Sequence, residues 1–162
     1  MGVQYVSALT FPTPVMFYSI EVQAAVPQTL VIGHAANEQT VPKDYAEKVC
    51  SGFAQLGAKG VTVIVASGDD GVGAGDCRTT ILFQPMFPAS CPFVTTVEAT
   101  RGVAPEVEAS FSGGGFSRYF DQPPYQSSAV SSYLAKQGSQ SAGLFNRAGR
   151  AYPDVAVLAN GY

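Results

Sequence analysis

The sequence predicts an α/β domain built around a mostly parallel β-sheet flanked by helices, and three observations carry that expectation. The run Val61 to Val65, in VTVIVASGDD, is continuous and rich in β-branched residues, which suits a parallel strand buried on both faces rather than an edge strand. A helical apolar stripe directly precedes it, and further strand-like and helical segments interleave along the chain. The 162 residues are 46% hydrophobic and 13% charged with mean hydropathy +0.13, the profile of one compact domain with few surface charges. A fold of this length buries roughly 70% of its unfolded surface, enough for a real core.

In chain order, strands are expected at Val15 to Ile20 and Leu30 to Gly33. From Thr40 to Lys59 the residues Val41, Tyr45, Val49, Phe53 and Leu56 recur at helical spacing, with Ala46 and Cys50 widening the stripe. Thr40 is placed to cap this helix, Pro42 to sit in its first turn, and Gly57 and Gly60 to stop it. After the strand at Val61 to Val65, others follow at Phe93 to Glu98 and Asp154 to Leu158. A second helix runs from Tyr125 to Gln137 behind Pro123 and Pro124, with Tyr125, Ala129, Tyr133 and Leu134 on its apolar side. Gly71 to Gly75 and Ser110 to Ser117 read as loops over the sheet ends. No internal repeat or linker divides the chain, so residues 1–162 form a single unit.

The charge and residue counts exclude several functions. A net charge of −3 and pI of 5.0 leave no basic run to neutralise phosphates, so nucleic acid is not an expected partner. No apolar stretch approaches the roughly 18 residues of a membrane span, and MGVQYVSALTFPTPVMF shows no signal peptide. A single histidine, His34, rules out a multi-histidine metal site. Cys50, Cys77 and Cys91 lack metal-knuckle or redox-pair spacing.

In α/β domains ligands gather at the carboxyl ends of the strands, which points to Ser67, Gly68, Asp69 and Asp70. A buried carboxyl there tends to become protonated and can donate to a developing oxyanion; turn or cap carboxylates are the plainer account of the same pair. Gly71 to Gly75 spells G-x-G-x-G with no helix behind it to receive a pyrophosphate, so a surface turn explains it better than a nucleotide site. His34 has no carboxylate beside it in sequence and reads as packed or solvent-facing. Cys50 lies on the helical stripe and reads as a core thiol. Cys77 and Cys91 bracket a loop; a bridge would close about 15 residues, worth roughly 3 kcal/mol in an oxidising compartment, and in a reducing one both stay thiols.

Several segments, in one order, resemble the catalytic domain of the sedolisins. They are NEQTVPKDYAEKVCSGFAQLGAKGVTVIVASGDDGVG, FQPMFPASCPFVTTVEAT, SFSGGGFSRYF, PPYQSSAVSSYL and GRAYPDVAV, covering most of Asn37 to Tyr162, while MGVQY resembles the family's LDVQY. The family comprises serine-carboxyl peptidases of subtilisin-like fold, fungal tripeptidyl peptidases among them. The resemblance implies a mechanism without histidine: a glutamate takes the serine proton, an aspartate supports that glutamate, and a second aspartate stands in the oxyanion hole. Such chemistry operates at acid pH, where one carboxyl of a close pair stays ionised while the oxyanion aspartate stays protonated. Asp69, in SGD, matches the oxyanion position. In subtilisin, losing the equivalent donor costs about 10² to 10³ in turnover.

The departures from the family pattern shape the expectation. Gly2 stands where the supporting aspartate belongs, the base glutamate would precede Met1, and the nucleophile's GTSAS-type motif would follow Tyr162. The chain is short between Ile20 and Pro27 for the family's connecting helix. The cleft-lining SYGD appears as Gly33-His34-Ala35-Ala36, and VGGT as Val97-Glu98-Ala99-Thr100. The family's calcium ligands would lie beyond Tyr162, so no cofactor is expected within this chain. The resemblance therefore implies a subtilisin-like fold truncated at both ends, an internal piece of an acid serine peptidase, inactive alone. Peptide or protein substrates of the parent enzyme would meet Gly33, His34, Ala35, Ser67 and Gly68 beside Asp69. It also implies an extracellular location; in a secreted chain a Cys77 to Cys91 bridge is expected, and a sheet truncated at both ends is expected to self-associate through uncovered surfaces. A non-catalytic relative acting as a peptide-binding or regulatory module is the alternative.

Overall fold

The computed structural model describes residues 27–73 and 82–160. Its elements are β1 (Thr29–Ile32), β2 (Ala36–Asn37), α1 (Lys43–Ala58), β3 (Thr62–Ala66), β4 (Met86–Phe87), β5 (Thr95–Arg101), β6 (Val107–Glu108), β7 (Gly115–Asp121), α2 (Ser127–Gln137), β8 (Gly149–Tyr152) and β9 (Val155–Asn160). The expected strand at Val15 to Ile20 lies outside the described residues.

The architecture is the expected α/β one. β1, β3, β5 and β9 form a parallel sheet in that order, with the short β6 antiparallel against the end of β5. α1 makes the crossover from β1 to β3, and its buried face lies on the sheet through Ala46 and Cys50. β2 pairs with β4, and β7 with β8, as two small antiparallel ribbons that sequence periodicity did not indicate. β2 and β4 have two residues each, and β7 and β8 both begin at a glycine.

Three local expectations are corrected. β3 is buried on one face only: Val63 and Val65 are buried with Leu30 and Ile32 packed beside them, whereas Thr62 and Ala66 are exposed. A continuous apolar run therefore did not mean two covered faces. α1 begins at Lys43 after Pro42, and the Thr40 hydroxyl donates to the Asn37 carbonyl at 2.8 Å inside a short 3-10 turn instead of capping the helix. Tyr45 stands 59% exposed, off the buried face. α2 is preceded by a 3-10 turn at Pro124–Gln126 and buries Val130, with Leu134 and Gln137 half-buried. Tyr125, Ala129 and Tyr133, expected with Leu134 on the apolar side, are exposed and border a cleft.

The disulfide also differs. Cys91 pairs with Cys50 on α1, not with Cys77, at a Cα separation of 5.7 Å. Both partners lie in the core beside Val63, Val65 and Phe87, where helix and incoming loop meet. Cys50 is thus a bridge partner, not a free thiol, and Cys77 lies outside the described residues. The sequence separation is 41, so chain entropy values the closure at about 4 kcal/mol.

Candidate functional site

The parallel register fixes where the expected site residues go. Ile32 pairs with Val65, so Gly33, His34 and Ala35 leave β1 at the same sheet end where Ser67, Gly68 and Asp69 leave β3. Gly33 and His34 are exposed and Ala35 half-buried. Ser67 is buried at 1% exposure, and its N–H donates to the Val97 carbonyl at 3.1 Å, extending the β3 to β5 ladder by one residue. Its side chain is thereby committed to the protein interior.

Gly68 has φ +116°, a conformation closed to ordinary L-residues. At Gly113 a Cβ would stand 2.6 Å from the Gly68 carbonyl oxygen, so the two backbones touch and no side chain fits between them. This contact turns the chain outward after Ser67 and leaves Asp69 and Asp70 exposed. Of the two readings of this acidic pair, the exposure fits carboxylates of a turn rather than buried ones.

The shielded carboxyl of the region is Glu98 on β5, which sequence reasoning recorded only as a departure from VGGT. Its Oε2 accepts from the Ser67 hydroxyl and from the Gly113 N–H at 2.6 Å, and its Oε1 accepts from the Ala99 N–H at 2.6 Å. Burial pushes its carboxyl above the ordinary 4.5; the hydrogen bonds from the Ala99 and Gly113 N–H groups pull the other way, and the Asp69 charge adds to the rise. The Ser112 hydroxyl donates to the Ala99 carbonyl at 2.6 Å in the same knot.

A cleft of about 1040 Å³ opens beside this cluster, with Glu98, Ser112 and Gly113 on one wall and Phe116, Tyr133 and Phe145 among its aromatic residues. Phe116 lies 4.7 Å from Phe145 and 6.1 Å from Tyr133, centroid to centroid. None of Gly33, His34, Ala35, Ser67, Gly68 or Asp69 lines it. Among the described residues no cluster of three His, Cys, Asp or Glu side chains could hold a metal, and no helix is long and apolar enough to cross a membrane.

Below the cleft, a second polar centre fastens the sheet. Arg150, fully buried, donates to Asp154 at 2.6 Å and to the Val94 carbonyl at 3.2 Å. Asp154 also accepts from the Thr96 N–H at 2.7 Å, and its own N–H donates to the Thr96 carbonyl at 2.8 Å, which starts β9 against β5. Tyr152 donates no charge here: burial holds its hydroxyl far above the usual tyrosine range while that oxygen accepts from the Met86 N–H at 2.7 Å.

No family model matches the sequence. Among solved structures, the chain resembles a Pseudomonas sedolisin, a serine-carboxyl proteinase complexed with two molecules of pseudo-iodotyrostatin, with TM-score 0.59 and 24% identity over 82% of this chain and 38% of that one. This likeness shows the subtilisin-like fold. The chain is 45% identical over 141 residues to tripeptidyl-peptidase SED2 of Arthroderma otae, covering 85% of itself and 24% of that protein. It is 48% identical over 139 residues to probable tripeptidyl-peptidase SED3 of Arthroderma benhamiae, covering 83% and 23%. The chain belongs to the sedolisin family. It spans about a quarter of the length of these sedolisin relatives. Within this sedolisin chain, the turn after β3 is the candidate catalytic element, and Glu98 is its unexpected neighbour.

Proposed function

We propose that the chain is part of the catalytic domain of a sedolisin-like acid serine peptidase, of tripeptidyl-peptidase or endopeptidase type, and that its own contribution is the oxyanion turn. The observation that carries this reading is the Gly68 to Gly113 backbone contact, which turns Asp69 outward at the carboxyl end of β3. A protonated Asp69 carboxyl at that tip donates a hydrogen bond to the oxygen on which charge develops as the scissile carbonyl is attacked. Peptide or protein substrates lie along Gly33, His34 and Ala35 on the neighbouring strand, with Ser67 and Gly68 shaping the turn from beneath. The nucleophilic serine and the Glu/Asp base pair match no residue of this chain, so the 162 residues alone do not turn over. No cofactor enters the reading.

An extracellular setting fits the Cys50 to Cys91 bridge, since such bridges persist in oxidising compartments. Exposed Val31 and Tyr133 support self-association at high concentration, which sedimentation across a dilution series would detect. The deciding assay incubates the purified chain with a chromogenic tripeptide substrate at about pH 4, in the carboxylate titration range. No release is expected; release that survives a protease-inhibitor control overturns the claim of inactivity. In a longer gene product carrying this segment, Asp69→Asn is expected to lower turnover by about 10² to 10³, as for the comparable donor of subtilisin, and unchanged turnover removes the oxyanion role.

The replacement of a family glycine by Glu98 favours a second reading, a non-catalytic relative that binds peptides. Saturable binding of substrate-like peptides by the folded chain, with no turnover from any longer gene product, would establish it in place of the first.

A further inference from the structure

We propose that Glu98 is a positioning residue for the Ser67 to Asp69 turn, a proton-dependent clasp that fastens the end of β3 to the Ser112–Gly113 segment. The inference rests on the reading of that turn as the oxyanion element, but the clasp itself stands on geometry. One carboxyl joins three segments: the turn through the Ser67 hydroxyl, the glycine segment through the Gly113 N–H, and its own strand through the Ala99 N–H. Gly113 is also the residue that touches Gly68, so whatever moves Gly113 moves the backbone one residue before Asp69.

The proton's place follows from the donors. Backbone N–H groups of Ala99 and Gly113 face Oε1 and Oε2, and neither can rotate away. An ionised Glu98 satisfies both and accepts from Ser67 as well. A protonated Glu98 places its hydrogen with least conflict by donating from Oε2 to the Ser67 oxygen, which reverses that bond and frees the serine hydrogen. The clasp thus has two hydrogen-bonded states that differ at Ser67. The titratable groups that face Glu98 are Asp69 from the end of β3 and Tyr152 from β8. Burial, aided by the Asp69 charge, raises the Glu98 carboxyl above 4.5, toward the pH range where the two states exchange.

The sign for stability follows. The folded chain holds this proton more tightly than the unfolded chain, so the contribution is fully present below about 4.5 and is lost as pH rises through the raised folded value. Relative to Glu98→Gln, the wild-type chain is expected to lose melting temperature as pH climbs through that window.

The test is a pH titration, from 3 to 8, of the backbone amides of Ser67, Gly68, Ala99 and Gly113 in the isotopically labelled 162-residue chain. The four amides are expected to shift with one common midpoint above 4.5. Glu98→Gln abolishes that transition, and Asp69→Asn keeps it but moves the midpoint lower. The proposal is overturned if the Ser67 and Gly68 shifts survive in Glu98→Gln, or vanish in Asp69→Asn. Should Glu98→Gln not fold, Ser67→Ala decides the matter: Ala99 and Gly113 must still titrate together while the Gly68 shift is lost, and a retained Gly68 shift overturns the clasp. No substrate enters this experiment, so its failure is separate from a failure of the oxyanion reading, which turnover of Asp69→Asn tests.

Discussion

Two acidic groups fasten to strand β5 two residues apart, and the fold treats them in opposite ways. Asp154 binds at Thr96 and faces the buried guanidinium of Arg150, so charge meets charge. Glu98 receives only neutral donors, two backbone N–H groups and a serine hydroxyl. The first arrangement is the more permanent: removing Asp154 strands the Arg150 charge in the interior. The second holds its geometry with dipoles alone, which burial can overrule by adding a proton. Permanence sits where β9 joins the sheet, and adjustability sits beside the candidate catalytic turn.

The contrast yields a graded series of substitutions, each read by urea unfolding at pH 7. Asp154→Ala leaves Arg150 buried and unpaired, for an expected loss of about 3–5 kcal/mol. A loss under 1 kcal/mol would mean that solvent reaches the guanidinium and would break the distinction. Glu38→Ala comes next. Glu38 is a third acid, fully buried like Arg150 but held by neutral donors like Glu98, since it accepts from the Ser117 hydroxyl at 2.6 Å and the Arg118 N–H at 2.7 Å. Its removal strands those donors, for about 1–3 kcal/mol. Ser112→Ala, which deletes the bond to the Ala99 carbonyl at the edge of the Glu98 knot, is expected to cost about 0.5–1.5 kcal/mol. A Ser112→Ala loss equal to that of Asp154→Ala would erase the difference between a paired charge and a dipole-held one.

How far the sequence disclosed all this depended on whether the information was local. α1 and β3 were legible because helical spacing and β-branching are properties of a single segment. Which face of β3 is covered was not, because Thr62 and Ala66 report on what packs above them rather than on themselves. The same limit applies to α2, where Val130 is the buried residue while Ala129 and Tyr133 of the expected apolar side are exposed. The cysteine pairing is wholly tertiary: nearness in sequence suggested Cys77 for Cys91, whereas the helix brings Cys50 to it. At the candidate site, the SGD turn was readable because its glycine and its place after a strand are local features. Glu98 was visible as an acid within a strand, but its role needed the fold, since its donors come from residues 67 and 113. For Asp69 the sequence left a buried carboxyl and a turn carboxylate both open, and only the Gly68 to Gly113 contact, which is tertiary, decides for the exposed one.

The Cys50 to Cys91 bond turns the stretch between these residues into a covalent ring that contains all of β3 and β4 and the candidate catalytic turn. A single protease cut anywhere inside that ring releases nothing. The two pieces travel together on a denaturing gel until a reductant is added, so in a fluid rich in peptidases a nicked chain keeps its strands tethered within reach of one another.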